Sequence, residues 1–505
     1  MNPSISGNKI RAFESISRFD ISTEVLVCGY GGAGAAAALE AVTVGAKVTI
    51  LERASAGGGA TALSSCEMYL GGSGGTALQK DLGFEDSTEN MLAYLREALG
   101  PYGDEEKILC YAEGAAAHFN WVESLGVPYK RAAFLERTVV PLSDESLLFT
   151  GNEKAYPFNN IAKPIPRGHV PSKVGDEGGK IFMDAIMQRL EKSGVEVIND
   201  CRVLALLIDK KNRIQGVIAK LDNREIAIRV TRGIVLTTGG FVMNDSMTHQ
   251  YMPDIIQYAV PYGNTYDMGD GIQLGLAAGG QTLNMEQAFI SFPLYPPAKL
   301  TYGILLNKRG QRYINEDAYL ARLAHYSCQQ PEQKFYLLVQ EEDFEASHYL
   351  QRADIIASGD SIAEVASEAP FPVNALEQTV AYFNKQASNG KDPLFHKTAE
   401  WLKPLVKPPF ALVEYSAREM TAVIMPGTKG PLIFTLGGLK TLTTGEVINF
   451  DNKIIDGLYA AGRTTAGLPR TAKGYASGMS VGDATFFGRL AGKSAANNQF
   501  RNENN

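Results

Sequence analysis

The first regular alternation of hydrophobic and polar positions marks a strand, a helix and a second strand. Val25–Cys28 is a short apolar run with β-branched residues, typical of a strand buried on both faces of a parallel sheet. An Ala-rich stretch follows directly and predicts a helix, and a second apolar run at Lys47–Leu51 predicts the next strand. This order predicts a βαβ unit.

The turn between the first predicted strand and the helix carries a glycine pattern. Gly29, Gly31 and Gly34 fit G-x-G-x-x-G: they permit a tight turn, a close approach to a pyrophosphate and close packing of helix on strand, respectively. The helix N-terminus offers N–H groups to phosphates, and Glu52, at the end of the second strand, can accept hydrogen bonds from ribose hydroxyls. We predict a dinucleotide site here. The alternative is an ordinary βαβ unit whose glycines serve packing only.

Later patterns predict that the nucleotide-binding fold is built from both ends of the chain. An NAD-only Rossmann domain would continue through βα units, whereas Leu82–Val127 shows the apolar spacing of helices. Further strands, the first three in a β-meander, are predicted at Val203–Ile208, Gly216–Leu221, Glu225–Val230, Gly233–Gly240 and Gly457–Gly462. A Gly-rich passage, Gly263–Gly280, opens a helix at Gly269–Gly271. We predict an α/β fold with a Rossmann-like domain of residues 1–285 and 429–505 and an inserted α+β cap of residues 286–428.

Composition and charge narrow the class of protein. The chain has 505 residues, enough for two domains, with 45% hydrophobic and 20% charged residues, as in soluble globular proteins. A net charge of −7 without a clustered basic face argues against nucleic acid as a partner. No apolar run reaches the roughly 18 residues of a membrane-spanning helix. Scattered cysteines and histidines and the lack of a secretory signal predict a cytoplasmic enzyme with no metal site.

Several segments resemble one group of flavoproteins, in the same order along the chain. Besides GYGGAGAAAALEA, ILERA, GGATALSS, LTTGG, GDGI and GLYAAGR, they are MYLGGSG (Met68–Gly74), RGHVP (Arg167–Pro171), RYINEDAY (Arg312–Tyr319), FTLGGLKT (Phe434–Thr441) and KGYASGMSVGDATFFGRLAG (Lys473–Gly492). The chain is similar to the flavoproteins related to soluble fumarate reductases and 3-ketosteroid dehydrogenases. Within that superfamily it most resembles the 3-ketosteroid Δ4-(5α)-dehydrogenases.

The resemblance implies an FAD-binding domain, a βαβ unit plus β-meander, with an inserted cap that holds a small apolar 3-ketosteroid against the flavin. It implies non-covalent FAD, because the GGATALSS loop lacks the histidine to which membrane-bound relatives attach it, and an external electron acceptor of unknown identity. Arg463 stands where many superfamily members have glutamate, and could contact FAD or a neighbouring carboxylate. The implied cofactor contacts are Gly29, Gly31, Gly32, Ala33, Gly34, Glu52, Arg53, Gly59, Ala60, Thr61, Val203, Thr238, Gly239, Asp270, Gly462, Arg463, Ser480 and Val481.

The implied reaction introduces a double bond between carbons 4 and 5 of a saturated 3-ketosteroid. A base takes the C4 proton, and flavin N5 takes the C5 hydrogen as hydride. By matching positions, Tyr319, Tyr475 and Ser477 correspond to the family's catalytic hydroxyls, with Ser477 extending a relay from a tyrosine. A helix at Met479–Leu490 would direct its positive end at the flavin. The structural alternatives are a Tyr319 ring packed in an apolar wall and an ordinary loop position for Tyr475.

Departures from the related reductases favour the steroid interpretation. Leu320 stands where the fumarate reductases have an arginine, Arg322 comes two positions late, and Phe434 replaces a histidine. A cationic clamp for a dicarboxylate is therefore not evident. The apolar stretch Ala288–Leu306 predicts cap core, with a few residues lining an apolar pocket. Alternatives remain: a fumarate- or urocanate-type reductase, a Δ1-dehydrogenase, a steroid reductase running the reverse reaction, and a non-catalytic flavin-binding protein.

Overall fold

A computed structural model describes residues 9–138, 142–175, 177–292, 294, 297–346, 350–351, 354–422 and 427–498. Pro293, Tyr295 and Pro296, within the predicted apolar stretch of the cap, lie outside the described residues. Each predicted domain also contains residues that the structure does not describe. The division into two domains stays a prediction.

The strands, in chain order, are β1 (Ile10–Ala12), β2 (Ile21–Cys28), β3 (Val48–Leu51), β4 (Met68–Tyr69), β5 (Ala133–Phe134), β6 (Leu147–Leu148), β7 (Gly168–His169), β8 (Glu196–Ile198), β9 (Arg202–Ile208), β10 (Ile214–Leu221), β11 (Arg224–Leu236), β12 (Val260–Pro261), β13 (Thr282–Leu283), β14 (Ala288–Ser291), β15 (Ile304–Asn307), β16 (Lys334–Gln340), β17 (Leu350–Gln351), β18 (Asp354–Gly359), β19 (Phe410–Ser416), β20 (Thr421–Ala422), β21 (Leu432–Thr435), β22 (Gly438–Leu439), β23 (Glu446–Ile448) and β24 (Ile454–Ala460).

The α-helices are α1 (Gly32–Thr43), α2 (Ala77–Asp81), α3 (Thr88–Leu99), α4 (Glu105–Ser124), α5 (Phe158–Ile161), α6 (Gly178–Lys192), α7 (Asp245–Tyr251), α8 (Pro253–Ile256), α9 (Asp270–Ala277), α10 (Leu320–Cys328), α11 (Ile362–Glu368), α12 (Ala375–Ala387) and α13 (Met479–Asn497). The predicted helical region before residue 127 is α3 and α4. The helices predicted to open at Gly269–Gly271 and at Met479 are α9 and α13, and α13 runs past the predicted end at Leu490.

The largest sheet is built from both ends of the chain, as the sequence predicts. Its parallel part runs β24, β11, β2, β3, β8, and β9 and β10 extend it next to the first half of β11. β2 is buried on both faces: Val25 and Val27 belong to the core on the side of α1, whereas Leu26 and Cys28 belong to the core beneath the meander. This arrangement explains the apolar run without alternation at Val25–Cys28.

The prediction of separate strands at Glu225–Val230 and Gly233–Gly240 is wrong. The structure has one strand, β11. Its residues 224–229 pair antiparallel with β10, it pairs parallel with β2 from Ile228 onward, and residues 234–236 pair parallel with β24. The polar pair Thr231-Arg232 is therefore not a turn. It lies where the register between β11 and β2 shifts, between Val230 and Gly233, so an irregularity within one strand gives the same sequence signal.

The first and last long helices lie side by side. Gly488 and Gly492 of α13 face α1 so closely that a Cβ atom there would come within 2.6 Å of the Ala33 carbonyl oxygen and 2.0 Å of that of Ala37. The alanines of α1 supply the matching small surface, and most of them are fully buried. Helix α13 is thereby fixed on α1, the helix of the G-x-G-x-x-G unit.

The inserted segment forms a second four-stranded sheet, ordered β15, β16, β19, β18, with α11 and α12 packed against it. A short three-stranded sheet, ordered β12, β21, β14, connects the main sheet region with the predicted cap. Its strand β14 lies within residues 286–428 and pairs with β21, which follows them in the sequence. Among the helices of the described residues, none combines the length and the apolar character that a membrane crossing requires.

Candidate active site

A large cavity opens where the parallel strands of the main sheet end. The segments that follow β2, β3, β11 and β24 all line it, beginning at Gly29, Glu52, Thr237 and Ala461. Ligands of open α/β sheets bind at this edge, outside the carboxyl ends of the strands. The cavity therefore lies where the glycine pattern predicts a dinucleotide.

The structure brings the predicted site residues into this one cavity. Its lining includes the three catalytic candidates Tyr319, Tyr475 and Ser477 and these cofactor candidates: Gly29, Gly31, Gly32, Ala33, Glu52, Arg53, Gly59, Ala60, Thr61, Val203, Thr238, Gly239, Asp270, Gly462, Arg463, Ser480 and Val481. Gly34 does not line it. A Cβ atom on Gly34 would come within 2.0 Å of the Gly29 carbonyl oxygen, so Gly34 serves the packing of helix on strand.

The glycine turn leaves room for a phosphate group. Gly31 and Gly59 both line the cavity, and a Cβ atom on Gly31 would reach van der Waals contact with Gly59 Cα at 3.8 Å, so a side chain here would fill the gap between the two glycine-rich loops. α1 begins there without a side-chain cap, and its positive end faces the same space. Glu52 is 9% exposed, and its two oxygens accept hydrogen bonds from Tyr30 N and Ala54 N, each at 2.7 Å. A carboxylate so held retains further lone pairs for a ligand hydroxyl. This cradle fits a dinucleotide.

The cations in the described lining of the cavity are each paired with a carboxylate. Arg53 and Arg202 both contact Asp270, at 3.0 and 2.9 Å, and Arg463 contacts Asp267 at 2.6 Å. The structure thus shows which carboxylate Arg463 contacts. The Nη1 atom of Arg463 is buried without a hydrogen-bond partner in the protein. Since a buried N–H donor requires an acceptor, Arg463 fits contact with a bound group as well.

The positions that separate this chain from the fumarate reductases also face the cavity. Leu320 and Phe434, which by the resemblance replace an arginine and a histidine of those enzymes, line the cavity with an aliphatic and an aromatic side chain. Arg322 does not line the cavity. Its guanidinium lies over the rings of Phe158 and Tyr326 on another side of α10.

The catalytic candidates form two hydroxyl pairs. The hydroxyls of Tyr319 and Ser477 are hydrogen-bonded to each other, although 158 residues separate them in the sequence. Tyr475 instead donates to Ser480 Oγ, at 2.9 Å. The resemblance implies that Ser477 extends a relay from one of the two tyrosines without deciding which. In the structure, the Ser477 hydroxyl is hydrogen-bonded to that of Tyr319.

Both tyrosines are protonated at neutral pH. Burial raises the pKa of Tyr475 to about 12, against the lowering effect of its hydrogen bond with Ser480. Burial also raises the pKa of Tyr319 well above its ordinary value, and the negative charge of Glu67 raises it further. The hydrogen bond with Ser477 acts in the opposite direction, because it stabilises the phenolate.

An apolar wall adjoins the hydroxyl pairs. The rings of Phe289 on β14 and Phe434 on β21 stack at 4.6 Å, and the Tyr475 ring packs on Phe289 at the same distance. Ser291 and Leu432 face each other on the same two strands, two residues from Phe289 and Phe434, and also line the cavity. The cavity thus combines a polar dinucleotide cradle with an aromatic wall next to two tyrosine hydroxyls.

Sequence reasoning missed three residues at this site. Asp267 anchors Arg463, Phe289 supports Tyr475, and Glu67 acts electrostatically on both tyrosines. One sequence feature could have indicated Asp267: it is an acidic residue within the glycine-rich passage Gly263–Gly280, shortly before Asp270. Glu67 is a single charge among apolar neighbours, which also marks a buried functional carboxylate.

Comparisons with known proteins agree with this geometry. The family described as FAD binding domain matches residues 24–479. The 3-ketosteroid-Δ4-(5α)-dehydrogenase from Rhodococcus jostii RHA1 was solved in complex with 4-androstene-3,17-dione, and its sequence is 39% identical to that of this chain. The two structures superpose with a TM-score of 0.88, over 97% of this chain and 99% of that protein. The 3-oxo-5-alpha-steroid 4-dehydrogenase of Comamonas testosteroni is 25% identical (87% of this chain, 92% of that protein). An NADH:fumarate oxidoreductase of Klebsiella pneumoniae is 27% identical over 94% of this chain, which spans 48% of that protein.

Proposed function

The chain belongs to the FAD binding domain family and, within it, to the 3-ketosteroid Δ4-(5α)-dehydrogenase group of FAD-dependent oxidoreductases. From that premise, we propose that it introduces a C4–C5 double bond into a saturated 3-ketosteroid. The observation that carries the proposal is the position of the Tyr319–Ser477 hydroxyl pair. It lies in the same cavity as the FAD cradle, together with Tyr475 and the stacked phenylalanines.

We assign the nucleotide cradle to the cofactor. Gly31 and the start of α1 would hold the pyrophosphate, Glu52 would accept a hydrogen bond from a ribose hydroxyl, and Arg463 would direct its unpartnered Nη1 atom to an acceptor on FAD. When bound, FAD would supply the hydride acceptor for the hydrogen on C5 of the substrate. We assign the aromatic wall at Phe289 to contact with the apolar A-ring beside the hydroxyls.

The two hydroxyl pairs receive different roles. The C3 ketone acidifies the proton on C4, and the ionised Tyr319 phenolate, which the hydrogen bond from Ser477 stabilises, takes that proton and becomes the neutral phenol. With substrate bound, Tyr475 turns its single O–H from Ser480 Oγ to the ketone oxygen, where negative charge develops when the C4 proton leaves. The C–H electron pair on C4 forms the new double bond as hydride leaves C5.

The arginines of the cavity weigh against a dicarboxylate substrate. A fumarate-type site needs cations free to bind two carboxylates, whereas Arg53, Arg202 and Arg463 already pair with Asp270 or Asp267. The compartment beside the tyrosines instead offers Leu320 and Phe434.

Anaerobic half-reactions test the proposal against its alternatives. Purified oxidised enzyme is mixed with a 5α- or 5β-reduced 3-ketosteroid, and loss of the yellow flavin absorbance is followed by product analysis. We expect bleaching and a 4-ene product. A 1-ene product would identify a Δ1-dehydrogenase. Reoxidation of the reduced enzyme by fumarate or urocanate, with no bleaching by any 3-ketosteroid, would show that the proposed function is wrong.

FAD should leave the protein on acid precipitation. The segment Gly59–Ser65 contains no histidine to which the flavin could be attached, so the chromophore is expected in the supernatant, with absorbance and mass of intact FAD. A yellow pellet after repeated acid washing would show a covalent link.

The rate of flavin reduction should rise with pH from about 7 to about 10 without levelling off. The pKa of Tyr319 is raised well above its ordinary value, so the ionised fraction of this proton-accepting phenol increases throughout the interval, whereas Tyr475, with its pKa raised to about 12, stays protonated as the hydrogen-bond donor. Stopped-flow reduction at saturating 3-ketosteroid measures this. If the rate of flavin reduction instead reached a plateau from about pH 8, proton removal would have to be assigned to another group.

A further inference from the structure

The two members of the catalytic hydroxyl pair come from distant parts of the chain. Tyr319 is the N-cap residue of α10, within the inserted segment, and Ser477 precedes α13 near the C-terminus. A hydrogen bond between two such side chains depends on how the two backbones are aligned.

A third segment, Thr150–Asn152, contacts both backbones. Thr150 exchanges two hydrogen bonds with Ser477: the Ser477 N–H donates to the Thr150 carbonyl at 2.8 Å, and the Thr150 hydroxyl donates to the Ser477 carbonyl at 2.9 Å. Two residues later, the Asn152 side-chain oxygen accepts the N–H of Tyr319 at 2.9 Å. The residue between them, Gly151, lies so close to the segment 475–477 that a Cβ atom on Gly151 would be 2.6 Å from the Ala476 methyl group.

This segment is itself held firmly. Asn152 and Thr150 are buried, with 0% and 3% exposure. The Asn152 N–H donates to the Tyr94 hydroxyl at 3.1 Å, and the Gly151 N–H donates to the buried Glu153 carboxylate at 2.9 Å.

An arginine secures the backbone directly before Tyr319. Arg137 donates from Nη1 to the Asp317 carbonyl at 2.5 Å and from Nη2 to the Ala318 carbonyl at 2.6 Å. These are the two residues before Tyr319. Together, Arg137 and Asn152 hold the peptide group between Ala318 and Tyr319 by its carbonyl and its N–H, directly before the Cα atom that carries the Tyr319 side chain.

We propose that Thr150, Asn152 and Arg137 are positioning residues that align Tyr319 of the cap with Ser477. This inference rests on the proposed function, because it assumes that the Tyr319–Ser477 pair accepts the proton. The three residues act on peptide groups and not on substrate. Their loss should therefore slow proton removal and leave binding of FAD and steroid nearly unchanged.

The test is a double-mutant cycle on the holoenzyme. Arg137→Met removes the donors and keeps an unbranched side chain, Arg137→Lys keeps one cationic donor, and Asn152→Ala removes the acceptor. We expect Arg137→Met and Asn152→Ala to lower the limiting rate of flavin reduction about 10- to 100-fold, since small misplacements of reacting groups cost this much. The apparent Kd for the 3-ketosteroid should change less than about twofold, and Arg137→Lys should recover part of the rate.

The decisive comparison is made in the Tyr319→Phe background. If the positioning residues act through the Tyr319 hydroxyl, Arg137→Met and Asn152→Ala should cost less than about twofold there. Arg131→Met is the matched control: this nearby arginine pairs with Asp81 and Glu123, away from the cap, and its loss should leave the rate unchanged. If Arg137→Met yields no soluble yellow protein, Asn152→Ala carries the comparison.

The outcomes separate this inference from the proposed function. Wild-type rates in both single variants, or an undiminished further loss in the Tyr319→Phe background, would overturn the positioning role alone. A wild-type rate in Tyr319→Phe itself would overturn the assignment of the proton acceptor and the positioning role with it.

Discussion

Replacement of Tyr319 by phenylalanine should nearly abolish reduction of the flavin by a 3-ketosteroid while FAD remains bound. The substitution keeps the buried ring and removes only the hydroxyl that is hydrogen-bonded to Ser477. Loss of an essential proton acceptor commonly lowers a rate about 10²–10⁴-fold. Tyr475→Phe should also slow reduction strongly, because the ketone loses its hydrogen-bond donor.

Anaerobic stopped-flow reduction at saturating substrate measures this effect, and the flavin-to-protein ratio verifies that the cofactor is retained. Tyr326→Phe serves as the control, since this tyrosine belongs to the same helix, α10, but does not line the cavity. Wild-type reduction rates in both Tyr319→Phe and Tyr475→Phe would refute the catalytic assignment.

Substitution of Gly31 by alanine should produce a folded protein that no longer binds FAD. A Cβ atom at this position clears all protein atoms by 3.8 Å or more, so the fold tolerates it. The same methyl group occupies the space assigned to the pyrophosphate. Because FAD stabilises only the folded state to which it binds, FAD at about 100 times its Kd should stabilise the wild-type apoprotein by about 2.7 kcal/mol and this variant hardly at all.

Thermal unfolding of both apoproteins, with and without FAD, tests the prediction. Gly34→Ala provides the contrast, because its Cβ atom would lie 2.0 Å from the Gly29 carbonyl oxygen and should destabilise the protein even without FAD. Wild-type FAD content in Gly31→Ala would place the pyrophosphate elsewhere.

Local patterns were enough to predict the nucleotide half of the site. The strand at Val25–Cys28, the glycines after it and Glu52 lie within one βαβ unit, where short-range rules of turn, helix and strand apply. The family likeness added Tyr319, Tyr475 and Ser477, which do line the same cavity.

The pairings within the site could not be predicted in this way. The bond between Tyr319 and Ser477 joins positions 158 residues apart, and the ion pair of Arg463 with Asp267 joins positions 196 apart. Such contacts are set by how the sheets and helices pack, and no periodicity along the chain encodes them. β11 shows the same limit, because only its neighbours distinguish one irregular strand from two strands and a turn.

The close contact of α13 with α1 has a consequence for the order of folding during synthesis. The βαβ unit leaves the ribosome early, but the surface that covers the alanines of α1 is made only with residues 479–497. Strand β24, which completes the parallel sheet beside β11, is also translated late. The growing chain must therefore carry an uncovered apolar helix face through most of its translation, and we expect this nascent stage, more than the finished enzyme, to depend on chaperones.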